Sequence, residues 1–429
     1  MENLTVSLDS ALAKRVIILT DMDMGGSGYM RIASQLGTEL VKHGKKVTVL
    51  GLSYRGEPHD YPFNIVPVAR FSDALPMIFN LVKSNAPLEA VVIALDIPMQ
   101  AKILAEYEKA QMVNSEIKTV GIFPLEAEPL SVSWATNLHM LNKRLVMTKF
   151  GQAELAKYNI DSEFIPVAID DGTDTWDRRT DEDYKRVRKG LGIADDTFVV
   201  LTVADNQERK NLSGAMKIFA KFSTRVIETN SIGFATSTEV IRNAEWHVVT
   251  RINSGVGYDL PDLAMRQGVI ETVKLYERGL PPVQLRQLYL AADAFLLTSK
   301  AEGLGIPMLE AMKIGVPVVA TNCTAMAEHA GDIAFKDRWL ATTEDRAMMI
   351  DPIVVITDPF GNGNRALVNI DSGVNKLTGL YEAKETGDNQ WVKDMVDRAY
   401  EYVTSRTWKD AGTLLVNTID ELNEKDGTQ

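Results

Sequence analysis

Two glutamates with seven residues between them, Glu302 and Glu310, are the side chains of this sequence best placed to do chemistry. They flank Gly303-Leu-Gly-Ile-Pro-Met-Leu309, and Pro307 to Lys313 reads as the opening turns of a helix with proline at its start. Glu302 is then expected in the loop, with Glu310 about two helical turns below it. A carboxylate accepts hydrogen bonds from two neighbouring hydroxyls, so one acid can sit near a bound sugar while the other reaches a ribose. Gly303 and Gly305 leave the loop backbone open to a ligand, and the free N–H groups of the helix start can face an anion. Either glutamate alone would be an ordinary helix-start or solvated acid.

Arg209 and Lys210 are adjacent in a loop between an apolar run, Thr197 to Val203, and a following helix. A planar guanidinium beside a point-like ammonium can neutralise a diphosphate, although helix-capping charges in solvent have the same composition. A second turn suited to phosphate is Asp21-Met-Asp-Met-Gly-Gly-Ser-Gly28, which joins the run Arg15 to Thr20 to a helical pattern from Tyr29 to His43. Gly25, Gly26 and Gly28 would bare backbone N–H groups at a helix start, but their spacing is not that of the dinucleotide fingerprint, and a plain tight turn is the alternative. Asp21 and Asp23 invite a metal, yet a turn-forming role or an acceptor contact is the stronger expectation. Asp96, Glu126 and Glu128 follow the runs Ala90 to Leu95 and Thr119 to Phe123. Loops at the carboxyl ends of parallel strands line ligand crevices, so these acids are acceptor-side candidates, or else solvated loop acids.

The elements that must carry these residues are short apolar runs alternating with helical stretches. Val47 to Gly51, Asn64 to Val68 and Leu145 to Thr148 join the runs already named; Glu245 to Thr250, Ala294 to Thr298 and Val316 to Ala320 continue the series. That alternation is the signature of doubly wound α/β domains with parallel sheets. At 429 residues the chain exceeds one ordinary core, and 45% apolar with 24% charged residues fits a globular protein. A net charge of −12 opposes non-specific binding to nucleic acid or anionic lipid. Lys42-His-Gly-Lys-Lys46 is the nearest thing to a basic, membrane-facing cluster, read as a solvated helix end and turn. No apolar run of membrane-spanning length and no signal-peptide core occur, so the cytoplasm is the expected compartment. The single cysteine, Cys323, excludes an intrachain disulfide and reads as a packing residue, and five scattered histidines give no zinc spacing.

With Leu290-Ala-Ala-Asp293 before it and Gly315-Val-Pro-Val-Val-Ala-Thr321 after it, the stretch Glu302 to Glu310 resembles the E-x7-E signature of retaining, nucleotide-sugar-dependent glycosyltransferases of the GT-B fold, family 4. That resemblance implies two Rossmann-like domains facing a cleft: 1–170 on the acceptor side, 171–389 binding the nucleotide sugar, and terminal helices 390–429 packing back toward the first domain. It places Glu302 beside the transferred sugar, Glu310 on the nucleotide ribose, and Gly303, Leu304, Gly305, Gly25, Gly26 and Gly28 against the donor. Gln207 to Asn211 resembles the family's donor-phosphate Arg/Lys element, with Ala204-Asp205 where Gly-Arg is usual, so Arg209 must supply the guanidinium and Lys210 the ammonium. A histidine common near the sugar in relatives is missing from Phe123 to Pro129, and His139 follows Trp134 on a helix.

The activity so implied is transfer of a sugar, without metal or further cofactor, from a nucleotide diphosphate co-substrate to a hydroxyl acceptor. The sequence offers no clear nucleophile, which favours a same-face reaction over a covalent intermediate. The rival readings are a GT-B-fold nucleotide-sugar epimerase or phosphorylase, and a non-catalytic subunit that binds a sugar nucleotide. The acceptor (saccharide, lipid-linked glycan, small molecule, protein or modified DNA base) and the oligomeric state are left open. So is the role of Asp332 to Thr386, longer and more irregular than in relatives, with Gly361-Asn-Gly-Asn364 as a turn.

Overall fold

The computed structural model describes residues 15–23, 27–82, 88–110, 117–126, 128–169, 176–230, 235–252, 255, 257–331, 345–359 and 361–424. The chain forms two compact units. Unit 1 is Met1–Leu125, Leu130–Val167 and Arg406–Gln429; unit 2 is Glu126–Pro129 and Ala168–Ser405. No described helix is long and apolar enough to cross a membrane.

The strands of unit 1 are β1 (Arg15–Asp21), β2 (Lys46–Leu52), β3 (Asn64–Val68), β4 (Leu88–Ala94), β5 (Thr119–Phe123), β6 (Lys143–Val146) and β7 (Glu163–Phe164). Among the described residues they make one parallel sheet in the order β3-β2-β1-β4-β5-β6-β7. Helices α1 (Gly28–Lys42), α2 (Ala74–Val82), α3 (Ile97–Ala110), α4 (Val132–Leu138) and α5 (Lys149–Ala156) connect them. Central strands such as β1 and β4 are near-continuous apolar runs because both faces of the sheet are buried: Val16, Ile17, Leu19, Val91 and Ile93 are all core residues.

Unit 2 begins with α6 (Asp181–Leu191), whose Thr180 and Asp183 form a capping box. Its main sheet contains β8 (Phe198–Val203), β11 (Ala244–Thr250), β12 (Val273–Glu277), β13 (Ala294–Leu297), β14 (Val318–Thr321) and β15 (Met348–Ile350). These strands are parallel in the order β12-β11-β8-β13-β14-β15. The intervening helices are α7 (Leu212–Ser223), α8 (Leu260–Gln267), α9 (Pro282–Ala291), α10 (Ile306–Ile314) and α11 (Thr324–Ala330). Two antiparallel hairpins stand apart from the sheet: β9 (Thr224–Thr229) with β10 (Ala235–Val240), and β16 (Pro352–Thr357) with β17 (Asn364–Val368). The chain ends in α12 (Ile370–Thr386), α13 (Gln390–Thr404) and α14 (Trp408–Glu424).

Both sheets reverse direction of growth next to their first strand, between β1 and β4 and between β8 and β13. At such a switch point the two loops leave toward opposite faces, and a crevice opens at the carboxyl ends of the strands. Among the described residues, α13 packs on α10 inside unit 2, and α14 packs in unit 1 against α1 and β4. Thr407 caps α14 by accepting from the Asp410 N–H at 3.0 Å. Of residues 332–386, those at 332–344 and 360 lie outside the described residues; the rest include the β16–β17 hairpin, turned at Gly361 and Gly363 with φ of 78° and 79°, and α12.

Candidate functional site

Because β8 and β13 are neighbouring parallel strands, the loops 204–211 and 298–305 emerge side by side at the switch point of unit 2. Backbone and side-chain bonds join them. The Lys300 N–H donates to the Arg209 carbonyl at 2.8 Å, Asn211 Nδ2 to the Thr298 carbonyl at 3.2 Å, and Thr298 Oγ1 to the Asn211 carbonyl at 2.9 Å. Asn211 adopts a left-handed conformation, φ 53°, and its side chain caps α7 at the Gly214 N–H. Asparagine is one of the few side chains that tolerates that conformation.

On this scaffold Glu302, 4% exposed, receives Lys210 Nζ at 2.6 Å, Arg209 Nη1 at 3.0 Å and Ser299 Oγ at 2.6 Å. Arg209 also donates to the Ala301 carbonyl at 2.7 Å and pairs through Nη2 with Glu126 at 3.0 Å. Burial by itself would raise the Glu302 carboxyl, but the charges of Lys210 and Arg209 outweigh it and hold the group down at about 2. Lys210 is lowered, first by burial and then by Arg209, against the pull of Glu302. Glu302 is therefore a fixed anion at neutral pH and no proton donor. Its chemical effect is to hold an ammonium and a guanidinium together where an incoming phosphate can compete for both.

Gly305 is the residue before α10, with φ 73°, a left-handed conformation that favours glycine. Gly303 and Leu304 are buried in the same loop. Glu310 is the fifth residue of α10, about 1.1 turns from the helix start. It is buried and accepts from the Tyr289 hydroxyl of α9 at 2.8 Å. Gly28 opens α1 after Ser27, while Gly25 and Gly26 lie outside the described residues. Asp96, just after β4, accepts from the Tyr29 hydroxyl of α1 at 2.5 Å, at the switch point of unit 1. Of the two loop acids, Glu126 reaches Arg209, and Glu128 is buried with its carbonyl bonded to the Asn364 N–H at 2.7 Å. Cys323 is buried and its thiol is pushed up to about 12 by burial, as befits a packing residue.

Sequence reasoning missed Ser299, Tyr289, Thr324 and His329. The first had a signal, a hydroxyl two residues past the end of a switch-point strand; Tyr289 is brought to α10, and Thr324 and His329 to the loop, only by the fold.

The two Rossmann-like units make this a GT-B fold. The chain is similar to a glycosyltransferase from Rickettsia africae, at 12% identity and a TM-score of 0.68, over 96% of this chain and 98% of that one. It is likewise similar to Anabaena HepE, solved in complex with UDP and glucose, at 14% identity and a TM-score of 0.64, over 95% of this chain and all of that one. Residues 183–353, inside unit 2, match the family model of glycosyl transferases group 1. A shorter segment is 41% identical over 75 residues to O-antigen chain mannosyltransferase B of Escherichia coli, 18% of this chain and 19% of that protein. The chain matches between 19% and 34% of the length of its curated relatives.

Proposed function

We propose that this chain is a retaining glycosyltransferase of the family 4 type, moving a hexosyl or related sugar from a nucleotide diphosphate to a hydroxyl acceptor. The observation that carries the reading is the buried Glu302 carboxylate bonded to both Lys210 and Arg209 at the switch point of the second sheet. The group 1 match over that unit, and similarity to a protein solved with UDP and glucose, support it.

Lys210 and Arg209 bind the donor diphosphate and stabilise the charge that grows on the departing phosphate. Two fixed cations matched to that charge make a metal unnecessary, and no cofactor beyond the nucleotide sugar is required. Glu302 lies beside the sugar and Glu310 holds the ribose. The bond between the anomeric carbon and the phosphate oxygen breaks as the acceptor oxygen bonds on the same face. The acceptor's proton passes to the leaving phosphate. The compartment proposed for this activity is the cytoplasm.

The test is release of nucleoside diphosphate from a panel of UDP- and GDP-sugars with mixed acceptors. Lys210→Ala and Glu302→Gln are each expected to cut turnover by at least about 100-fold in protein that still unfolds cooperatively. Near wild-type rates in both variants would remove the assignment.

A further inference from the structure

The short helix α11 runs beside the loop from Glu302 to Gly305 and bonds to its backbone at both ends. Thr324 Oγ1 accepts from the Glu302 N–H at 2.9 Å, and the Ala325 N–H donates to the Glu302 carbonyl at 3.3 Å. At the other end His329, fully buried, bonds through Nε2 to the Leu304 carbonyl at 2.7 Å. A carbonyl only accepts, so Nε2 carries the hydrogen; Nδ1 then accepts from the Tyr402 hydroxyl of α13 at 2.9 Å. Arg346 covers the Tyr402 ring at 4.4 Å and donates to the His329 carbonyl at 2.9 Å. Thr324 holds its place at a cost in backbone energy, since its φ of 47° lies in the left-handed region, where a β-branched residue is a genuine outlier. Strain of this kind persists where the surroundings over-determine a conformation, and it collects at functional sites.

We propose that Thr324 and His329 are positioning residues that hold the Glu302 carboxylate and the Gly303–Gly305 backbone in place during sugar transfer. The inference rests on the function proposed above and adds a physical need to it. Lys210 and Arg209 fix the direction of the Glu302 side chain. A bound diphosphate competes for those same two cations, so Glu302 loses partners when its position matters most. The bonds from α11 act on the backbone instead and survive that exchange. Neither residue needs to touch the substrate.

Thr324→Gly removes the hydroxyl and also relieves the left-handed backbone, so the melting temperature is expected to stay within about 4 °C of wild type. Its kcat is expected to fall roughly tenfold or more with little change in KM for the sugar nucleotide. Amide hydrogen exchange across 302–305 is expected to quicken. Thr324→Ser, which keeps the hydroxyl, restores both. Independently, His329→Gln retains an N–H for the Leu304 carbonyl and is expected to outperform His329→Leu in kcat and in protection of that loop. Wild-type kcat and exchange in Thr324→Gly, or equal impairment in each conservative variant and its partner, overturns the proposal. If the wild-type chain transfers no sugar, the functional reading fails, and the exchange rates of the variants alone decide whether α11 fixes the loop.

Discussion

A carboxylate buried as deeply as Glu302 stays ionised only while Lys210, Arg209 and Ser299 together replace the water it has lost. Its folded value, about 2, lies below the ordinary 4.5. A depressed carboxyl stabilises the fold fully above its unfolded value and loses that contribution as pH falls toward the folded one. The window here is from 4.5 down to about 2. Glu302→Gln leaves two cations short of their shared anion, a loss on the order of 3–5 kcal/mol at neutral pH, eased by the Arg209–Glu126 pair. Melting curves of both proteins from neutrality to about pH 3 are expected to converge as the acid limit is approached. A gap that is constant across the window would show that the ion cluster does not set the Glu302 protonation. Glu302, Lys210 and Arg209 were legible in the sequence because each follows the end of an apolar run, and strand ends are where α/β sheets place their ligands. What Glu310 and Glu126 bond to was not. Tyr289 and Arg209 reach them only through strand order, which no local pattern encodes.

The loop that carries Arg209 and Lys210 is itself held from the side of β11. Asn206 bonds through its side chain to both backbone groups of Tyr258, at 2.8 and 2.9 Å. Gly257 sits so close that an added Cβ would stand 2.2 Å from the Asn206 carbonyl oxygen. Backbone cannot yield as a flexible side chain does, so Gly257→Ala is expected to displace the 204–211 loop. Calorimetry should show both a lower melting temperature and weaker binding of nucleoside diphosphate. Gly190→Ala is the counterpart: inside α6 its Cβ would meet nothing within 4 Å. It is expected to stabilise by about 0.5–1 kcal/mol and leave nucleotide binding alone. The same contrast explains which elements could be read in advance. Sheet strands declare themselves as apolar runs because helices cover both faces. The β16–β17 turn at Gly361-Asn-Gly-Asn364 was visible; β16 carries the apolar run Ile353-Val-Val-Ile356, which was not assigned as a strand, and it lies outside the main sheet with Ile353 70% exposed. The polar sequence Ala235–Val240 of β10 hides its strand, because it offers no apolar run.

Unit 1 is assembled from the two ends of the chain, and the consequence belongs to the molecule as a whole. The chain leaves unit 1 at Val167 and returns at Arg406. The returning α14 buries Ala411, Leu415, Val416, Ile419 and Leu422, where full burial of a leucine or isoleucine is worth about 1.5–3 kcal/mol. It approaches α1 closely enough that a Cβ on Gly412 would lie 2.4 Å from the Glu39 Cβ. Lys45, one of the basic cluster before β2, is almost wholly buried between Glu89 at 3.0 Å and Asp420 of α14 at 2.6 Å. Lys143 pairs with Glu421 at 2.9 Å. The cluster that resembled a surface patch therefore spends one of its lysines inside the unit, where an unpaired ammonium would be costly. Ending the chain after Ser405 would strip these contacts from α1 and β4 while leaving every described strand of both sheets intact. Amide protection is expected to fall in α1, β2 and β4 and to persist in β8, β11 and β13, with thermal unfolding split into two transitions. Gly412→Leu is expected to shift the same amides in the same direction by a smaller amount, because it pushes α14 away without removing it. Unchanged protection of α1 in the shortened chain would mean that the sheet and its crossover helices are sufficient, and that α14 covers a surface already stable without it.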